Sequence, residues 1–274
     1  MSFLLQMCIV LQMPPRPDKR EQRSTELLEV AREVLISTGL SGFSVEQVAK
    51  LSGYSRPTVY AHFGSKKAIL DALAARNLEV GRGLMERAAT VEGTAREQAF
   101  ALIFSYEVMA RFHPEEFHLT ELLGMPWVRV NLPKATATAF SSMIEAYYDA
   151  LHTQVEVAVS EGELELRPEM TTGNIVFHSL SMSYGIYTSI IKERIILARS
   201  GSAEPWTEAR AALQCYWDGI GWGGGRTQAE YDEFAEQLLK KTFPELWLEA
   251  EMEKLKRESG IGAGSGADAS QMAE

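Results

Sequence analysis

This sequence predicts an all-α fold in two parts, a small N-terminal head of short helices and a larger helical body. Three observations carry that expectation. Apolar residues recur at helical spacing along most of the chain, and no period-2 strand pattern, internal repeat or sustained heptad stands out. The 274 residues are enough for two helical cores. Charge is also divided. Through Lys67 there are nine Lys and Arg against six Asp and Glu, a net of +3, whereas the whole chain carries −10, leaving −13 on residues 68–274. A basic head on an acidic body can present only one face to a polyanion, because the remainder is repelled from it.

The head reads as helices in order. Residues 27–39, LLEVAREVLISTG, form the first. Ser44 and Gln47 make an S-x-x-Q capping box, in which each side chain satisfies an orphan backbone donor. Val45, Val48, Ala49 and Leu51 are expected to give the helix that follows its buried face. Ser52-Gly53-Tyr54 breaks that helix, since Gly takes the left-handed backbone of a tight helix-to-helix turn. Ser55 caps the next helix, and Pro57 is tolerated in its first turn, where N–H groups lack partners anyway. Val59 and Phe63 face inward. Ser65 caps a further helix whose first turn holds Lys66 and Lys67. Lysines are unfavourable beside the positive end of a helix dipole, so placing two there makes sense if a phosphate sits between them and the free N–H groups.

That order of cap, turn, cap and paired lysines is how a helix-turn-helix is written, and its second helix carries chemistry suited to DNA. Arg56 can donate twice to a guanine edge, and Pro57 and Thr58 offer small apolar groups to a thymine methyl. Thr58, Tyr60 and His62 suit phosphate oxygens, which set register without reading sequence. The DNA-contacting set is therefore Ser44, Ser55, Arg56, Pro57, Thr58, Tyr60, His62, Lys66 and Lys67. Arg16, Lys19, Arg20 and Arg23 read either as a basic arm ahead of the first helix, able to reach a minor groove or phosphates, or as a solvated linker.

The run from about Leu27 to Leu70 resembles the DNA-binding domain of the TetR family of transcriptional regulators. The family pattern of Tyr, any residue, His or Tyr, Phe, then Ser-Lys is met by Tyr60, His62, Phe63, Ser65 and Lys66. The resemblance covers only about the first quarter of the chain. It implies double-stranded DNA as partner, a palindromic operator and a homodimer. It also implies a small-molecule effector in the body and a four-helix interface built from two long C-terminal helices of each subunit. Segments 171–199 and 205–219 are the candidates for that interface, with Tyr184, Ile190, Ile191, Ile195, Leu213, Tyr216 and Trp217 as its apolar surface. A two-fold dimer agrees with the physics, since a single helix-turn-helix touches few base pairs and two reach successive major-groove faces.

The body continues as helix. Thr94 and Glu97 form a second capping box, opening a helix that runs to Phe112 before Pro114. A short helix follows at 115–124, then a proline-bounded loop over 124–133. Long helical segments cover 134–160 and 171–199. Another runs from Pro205 to the glycines at 219–225, and two more are expected at 228–242 and 244–258. Aromatic and methionine side chains with interspersed polar groups supply an effector-site set: Met109, Phe112, Phe117, Trp127, Phe140, Met143, Tyr147, Asn174, Phe177, His178 and Met182. An apolar cavity with a few polar fixings is what a small-molecule site requires. The competing reading of any one of these residues is plain core.

The domain boundaries expected are a flexible extension over 1–20, the DNA-binding domain over 21–67, the effector and dimerisation domain over 68–258, and a disordered Gly/Ala-rich tail over 259–274. Residues 3–13 are apolar but too short to span a bilayer, and they lack the features of a secretory signal; Met13 is another candidate start. Cys8 and Cys215 are far apart and fit a reducing compartment, the cytoplasm. His113 and His118, five apart with Pro114 between them, do not share a helix face as metal ligands would. The glycines at 219–225 lack the strand and partner residues of a nucleotide loop. No cofactor, metal or enzymatic activity is expected. The alternative is a DNA-binding dimer without an effector, constitutive or controlled by a protein partner.

Overall fold

The computed structural model describes residues 19–130, 132–192, 198–201 and 204–258, and among them there are helices and no strand. In chain order the helices are α1 (Lys19–Gly42), α2 (Val45–Ser52), α3 (Arg56–Phe63), α4 (Lys66–Ala88), α5 (Ala95–Phe112) and α6 (Pro114–Gly124). They continue as α7 (Pro126–Arg129), α8 (Lys134–Ser160), α9 (Thr172–Lys192), α10 (Pro205–Gly219), α11 (Gln228–Thr242) and α12 (Pro244–Glu258). Most of the expected segments are present. The expected N-terminal extension to residue 18, the tail, and part of the segment 171–199 that includes Ile195 lie outside the described residues.

The chain forms two compact units. One comprises the residues up to Asn77 with His118–Ala137, and the other Leu78–Phe117 with the residues from Thr138 onward. The expected boundary at 67/68 therefore falls within α4, which runs unbroken past Asn77.

In the first unit, α1 begins at Lys19, so Lys19, Arg20 and Arg23 are helical and not a free arm. Leu27, Ala31, Val34 and Leu35 are its buried stripe. Gly39 interrupts it with φ 65°. Leu51 corrects the expected buried face of α2, being 63% exposed. At 100° per residue Leu51 points well away from Val45, while Val48 and Ala49 stay on the inner stripe. Residues 118–137 join this unit through a 2.6 Å hydrogen bond from the Asn77 amide to the Thr120 hydroxyl and a bond from the Thr136 hydroxyl to the Asp71 carboxylate.

The second unit is built around α5, whose residues Ala99 through Ser105 are all buried. A helix apolar all round belongs at the centre of a bundle. Its polar entry is equally enclosed: Arg96, fully buried, donates to Gln214 at 2.7 Å, to Asp218 at 2.6 Å and to the Trp222 carbonyl. Helix α11 lays Tyr231 against Phe100, ring centroids 5.1 Å apart. Arg87 holds the junction between α11 and α12, donating from Nε to the Thr242 carbonyl at 2.8 Å and pairing with Glu245 at 2.6 Å. The helices over 228–258 thus complete the core of this unit through Tyr231, Leu238, Leu239, Phe243 and Leu246.

Candidate nucleic-acid interface

The site is built on α2 and α3. The Ser44 hydroxyl accepts from the Gln47 N–H at 3.3 Å and donates to the Gln47 side-chain oxygen at 3.1 Å. The first half of the capping box is present, but Gln47 turns back to the hydroxyl rather than to the Ser44 backbone. Gly53, at φ 71°, makes the left-handed turn between the helices. Ser55 caps α3 by accepting from the Thr58 N–H at 3.3 Å, and its hydroxyl lies 2.8 Å from that of Thr58.

One residue fixes α3 in place. Val59 is completely buried, which turns Arg56, Pro57 and Tyr60 to solvent. Phe63 is only half-buried. Arg56 pairs with Glu46 at 2.6 Å and lies over the Tyr60 ring at 5.5 Å. The Tyr60 side chain and the Glu46 carboxylate both favour its charged form. The guanidinium is therefore held at the exposed surface where the two helices meet, ready for exchange onto an external acceptor. His62 is half-buried and Lys67 is exposed.

Lys66 is engaged differently from the expectation. Its ammonium donates to the Phe43 carbonyl at 2.6 Å and to the Leu40 carbonyl at 3.3 Å, and lies 5.6 Å from the centre of the Phe43 ring. It closes the end of α1 from within the unit. Spacing alone could not have shown this, since the carbonyls come from residues more than 20 positions earlier. The Ser65 hydroxyl caps α4 by accepting from the Ala68 N–H at 3.1 Å.

The expected effector-site residues divide between core and surface. Met109, Phe117 and Phe140 are buried, whereas Phe112, Met143, Tyr147 and Met182 are half-buried. Trp127, in the first unit, is 64% exposed. Asn174 caps α9, its side-chain oxygen accepting from the Thr171 N–H at 3.1 Å. Phe177 is 61% exposed, and the exposed His178 lies 3.1 Å from the Tyr216 hydroxyl. Met109 and Met143 approach each other at Gly81, where a Cβ would lie 3.4 Å from the Met143 sulfur and 3.7 Å from that of Met109. The Tyr147 hydroxyl donates to the Leu102 carbonyl, and burial raises its pKa well above the ordinary phenol value.

Two of the expected interface residues need correction. Leu213 and Trp217 are core, 2% and 0% exposed, with the Trp217 N–H donating to Ser179 at 2.9 Å. What α9 does expose is a stripe of Asn174, Phe177, His178, Ser181, Tyr184 and Gly185. Among the described residues there is no group of three or more His, Cys, Asp or Glu able to hold a metal, and no helix long and apolar enough to cross a membrane.

Known proteins share this arrangement. Residues 27–73 match the family model of bacterial regulatory proteins, tetR family. The chain is 40% identical over 48 residues to the tetracycline repressor protein class D of Escherichia coli, covering 18% of this chain and 22% of that protein. It is 29% identical over 117 residues to the transcriptional repressor KstR2 of Rhodococcus jostii, covering 39% of this chain and 57% of that one. These matches span less than two thirds of either relative. The fold is similar over a longer stretch to the TetR family regulator PfmR of Thermus thermophilus, with a TM-score of 0.53 at 21% identity, covering 73% of this chain and 99% of that one. With the helix-turn-helix formed by α2 and α3 and the family match centred on it, residues 27–73 carry a DNA-binding domain of the tetR family of bacterial regulatory proteins.

Proposed function

We propose that this protein is a sequence-specific DNA-binding transcriptional regulator, a homodimeric repressor of a palindromic operator that releases DNA when a small, largely apolar effector enters the body. The observation that carries the DNA reading is α3 itself. Buried Val59 pins it, and Arg56, Pro57 and Tyr60 stand outward on the face a major groove would meet. The dimer reading is supported by the α9 stripe, on which Phe177 and Tyr184 are 61% and 45% exposed. Two such stripes related by a two-fold axis bury each other, as an isologous contact requires. The effector reading is supported by the paired Met109 and Met143 sulfurs facing Gly81, since thioethers repack readily around a guest. An effector acts by binding better to the state in which the two recognition helices do not fit the operator, and DNA weakens it in return.

The test is titration of the purified protein onto a fluorescent duplex from its own upstream region, at two salt concentrations and with competitor DNA. Saturable binding that survives competitor and weakens with salt is the expected result. A second reading, a DNA-binding dimer with no effector, is favoured by the scatter of the expected effector residues between core and surface. Thermal stabilisation by any compound in an apolar library would exclude it.

A further inference from the structure

A groove of about 670 Å³ separates the start of α1 from α3, with Lys19, Arg20 and Arg23 on one wall and Thr58, Ala61 and His62 on the other. We infer that it is a phosphodiester-binding groove, holding one sugar–phosphate strand of the duplex beside the recognition helix. The inference rests on the DNA-binding reading above and deepens it, adding a cationic wall on α1 that contacts phosphates only, opposite Pro57 and Thr58 of the recognition helix. All three cations are exposed, and among the described residues none of them is ion-paired. Arg23 lies over the Tyr54 ring at 5.3 Å, and the Tyr54 hydroxyl donates to Glu26 at 2.9 Å. That stack holds the guanidinium in place while leaving its donors to solvent.

Spacing favours a strand over a single small anion. Four residues along a helix span about 6 Å, and one strand of duplex DNA carries a phosphate every 3.4 Å or so along its axis. Lys19 to Arg23 therefore covers about two successive phosphates. The facing wall is small and uncharged apart from the His62 imidazole, so a backbone can approach closely. Carrying the cations on a helix rather than on a loose arm lowers the ordering cost of the contact.

Replacing all three with glutamine (K19Q/R20Q/R23Q) in the full chain tests this. The readout is the slope of log K against log salt, on a duplex selected from a random library and on a mixed-sequence duplex of equal length. The expected result is a slope shallower by about 2 per protomer on both duplexes, with base preference and melting temperature unchanged. The charge-conserving K19R/R20K/R23K variant is expected to keep the original slope. An unchanged slope in the glutamine variant overturns the inference and leaves the DNA-binding reading standing. Loss restricted to the selected duplex also overturns it, because the groove would then be reading bases. If the unaltered chain binds neither duplex, both readings fall together.

Discussion

The Lys66 ammonium and the Phe43 carbonyl, 23 residues apart, meet at 2.6 Å, with the Phe43 ring beneath the cation. This contact ties the first turn of α4 to the end of α1, so the lysine stabilises the head before any DNA is present. A charge-assisted bond to a carbonyl contributes about 1.5–3 kcal/mol. Lys66→Met is expected to lower the stability of the head by about that much in the absence of DNA, read as a shift in the denaturation midpoint. Unaltered stability with weakened DNA binding would return Lys66 to a phosphate role.

Arg56 is expected to read a base. Its pairing with Glu46 and stacking on Tyr60 keep the guanidinium at the exposed face of α3. Arg56→Ala should weaken specific binding by about 5- to 150-fold and relax preference at one operator position. Selection from a random duplex library, before and after the change, supplies the comparison. Identical selected motifs would show that Arg56 contacts only the backbone.

The body should show an acid-side stabilisation centred on Glu107. Burial pushes its carboxyl from 4.5 up to about 7 despite the pull of Arg210. Arg210 does not depend on that charge alone, since it also pairs with Asp232 at 2.8 Å. Because the folded pKa lies above the unfolded one, the folded chain holds more protons between those values. The contribution to stability is therefore fully present below about pH 4.5 and is lost as pH rises through about 7. By linkage it is worth about 3 kcal/mol at most. Glu107→Gln, measured against the parent by denaturant unfolding across that range, should flatten this component. Parallel profiles would mean that Glu107 stays ionised throughout.

Trp217 and Tyr184 separate the core from the proposed interface. Trp217→Ala empties a fully buried site and removes the donor to the Ser179 hydroxyl, which keeps only its own bond to the Ile175 carbonyl. It should cost roughly 3–5 kcal/mol in fold stability. Phe177→Glu with Tyr184→Glu, on the exposed stripe, should leave the unfolding of the monomer nearly unchanged. It should weaken self-association at least tenfold, about 1.4 kcal/mol. Sedimentation across a dilution series distinguishes the two variants, and an undisturbed dimer in the second would move the interface off α9.

The all-helical class, most helix positions and the helix-turn-helix are legible in the residues alone. Those features are local: caps at Ser55 and Thr94, the left-handed Gly53, prolines at helix starts and apolar spacing act within one or two turns. Tertiary structure decided what periodicity leaves open. Leu51 and Trp217 are both large apolar side chains on helices, yet one is exposed and the other fully enclosed. The first unit also recruits residues 118–137, far along the chain from α1. Lys66 finds its acceptors in the last turn of α1 and just after it, and Lys19, Arg20 and Arg23 become one wall of a groove only because α3 is folded beside them. Local rules specify where a helix starts and ends. Which of its faces is covered depends on partners distant in sequence, and that choice turned a basic stretch into a groove and an expected phosphate ligand into a brace.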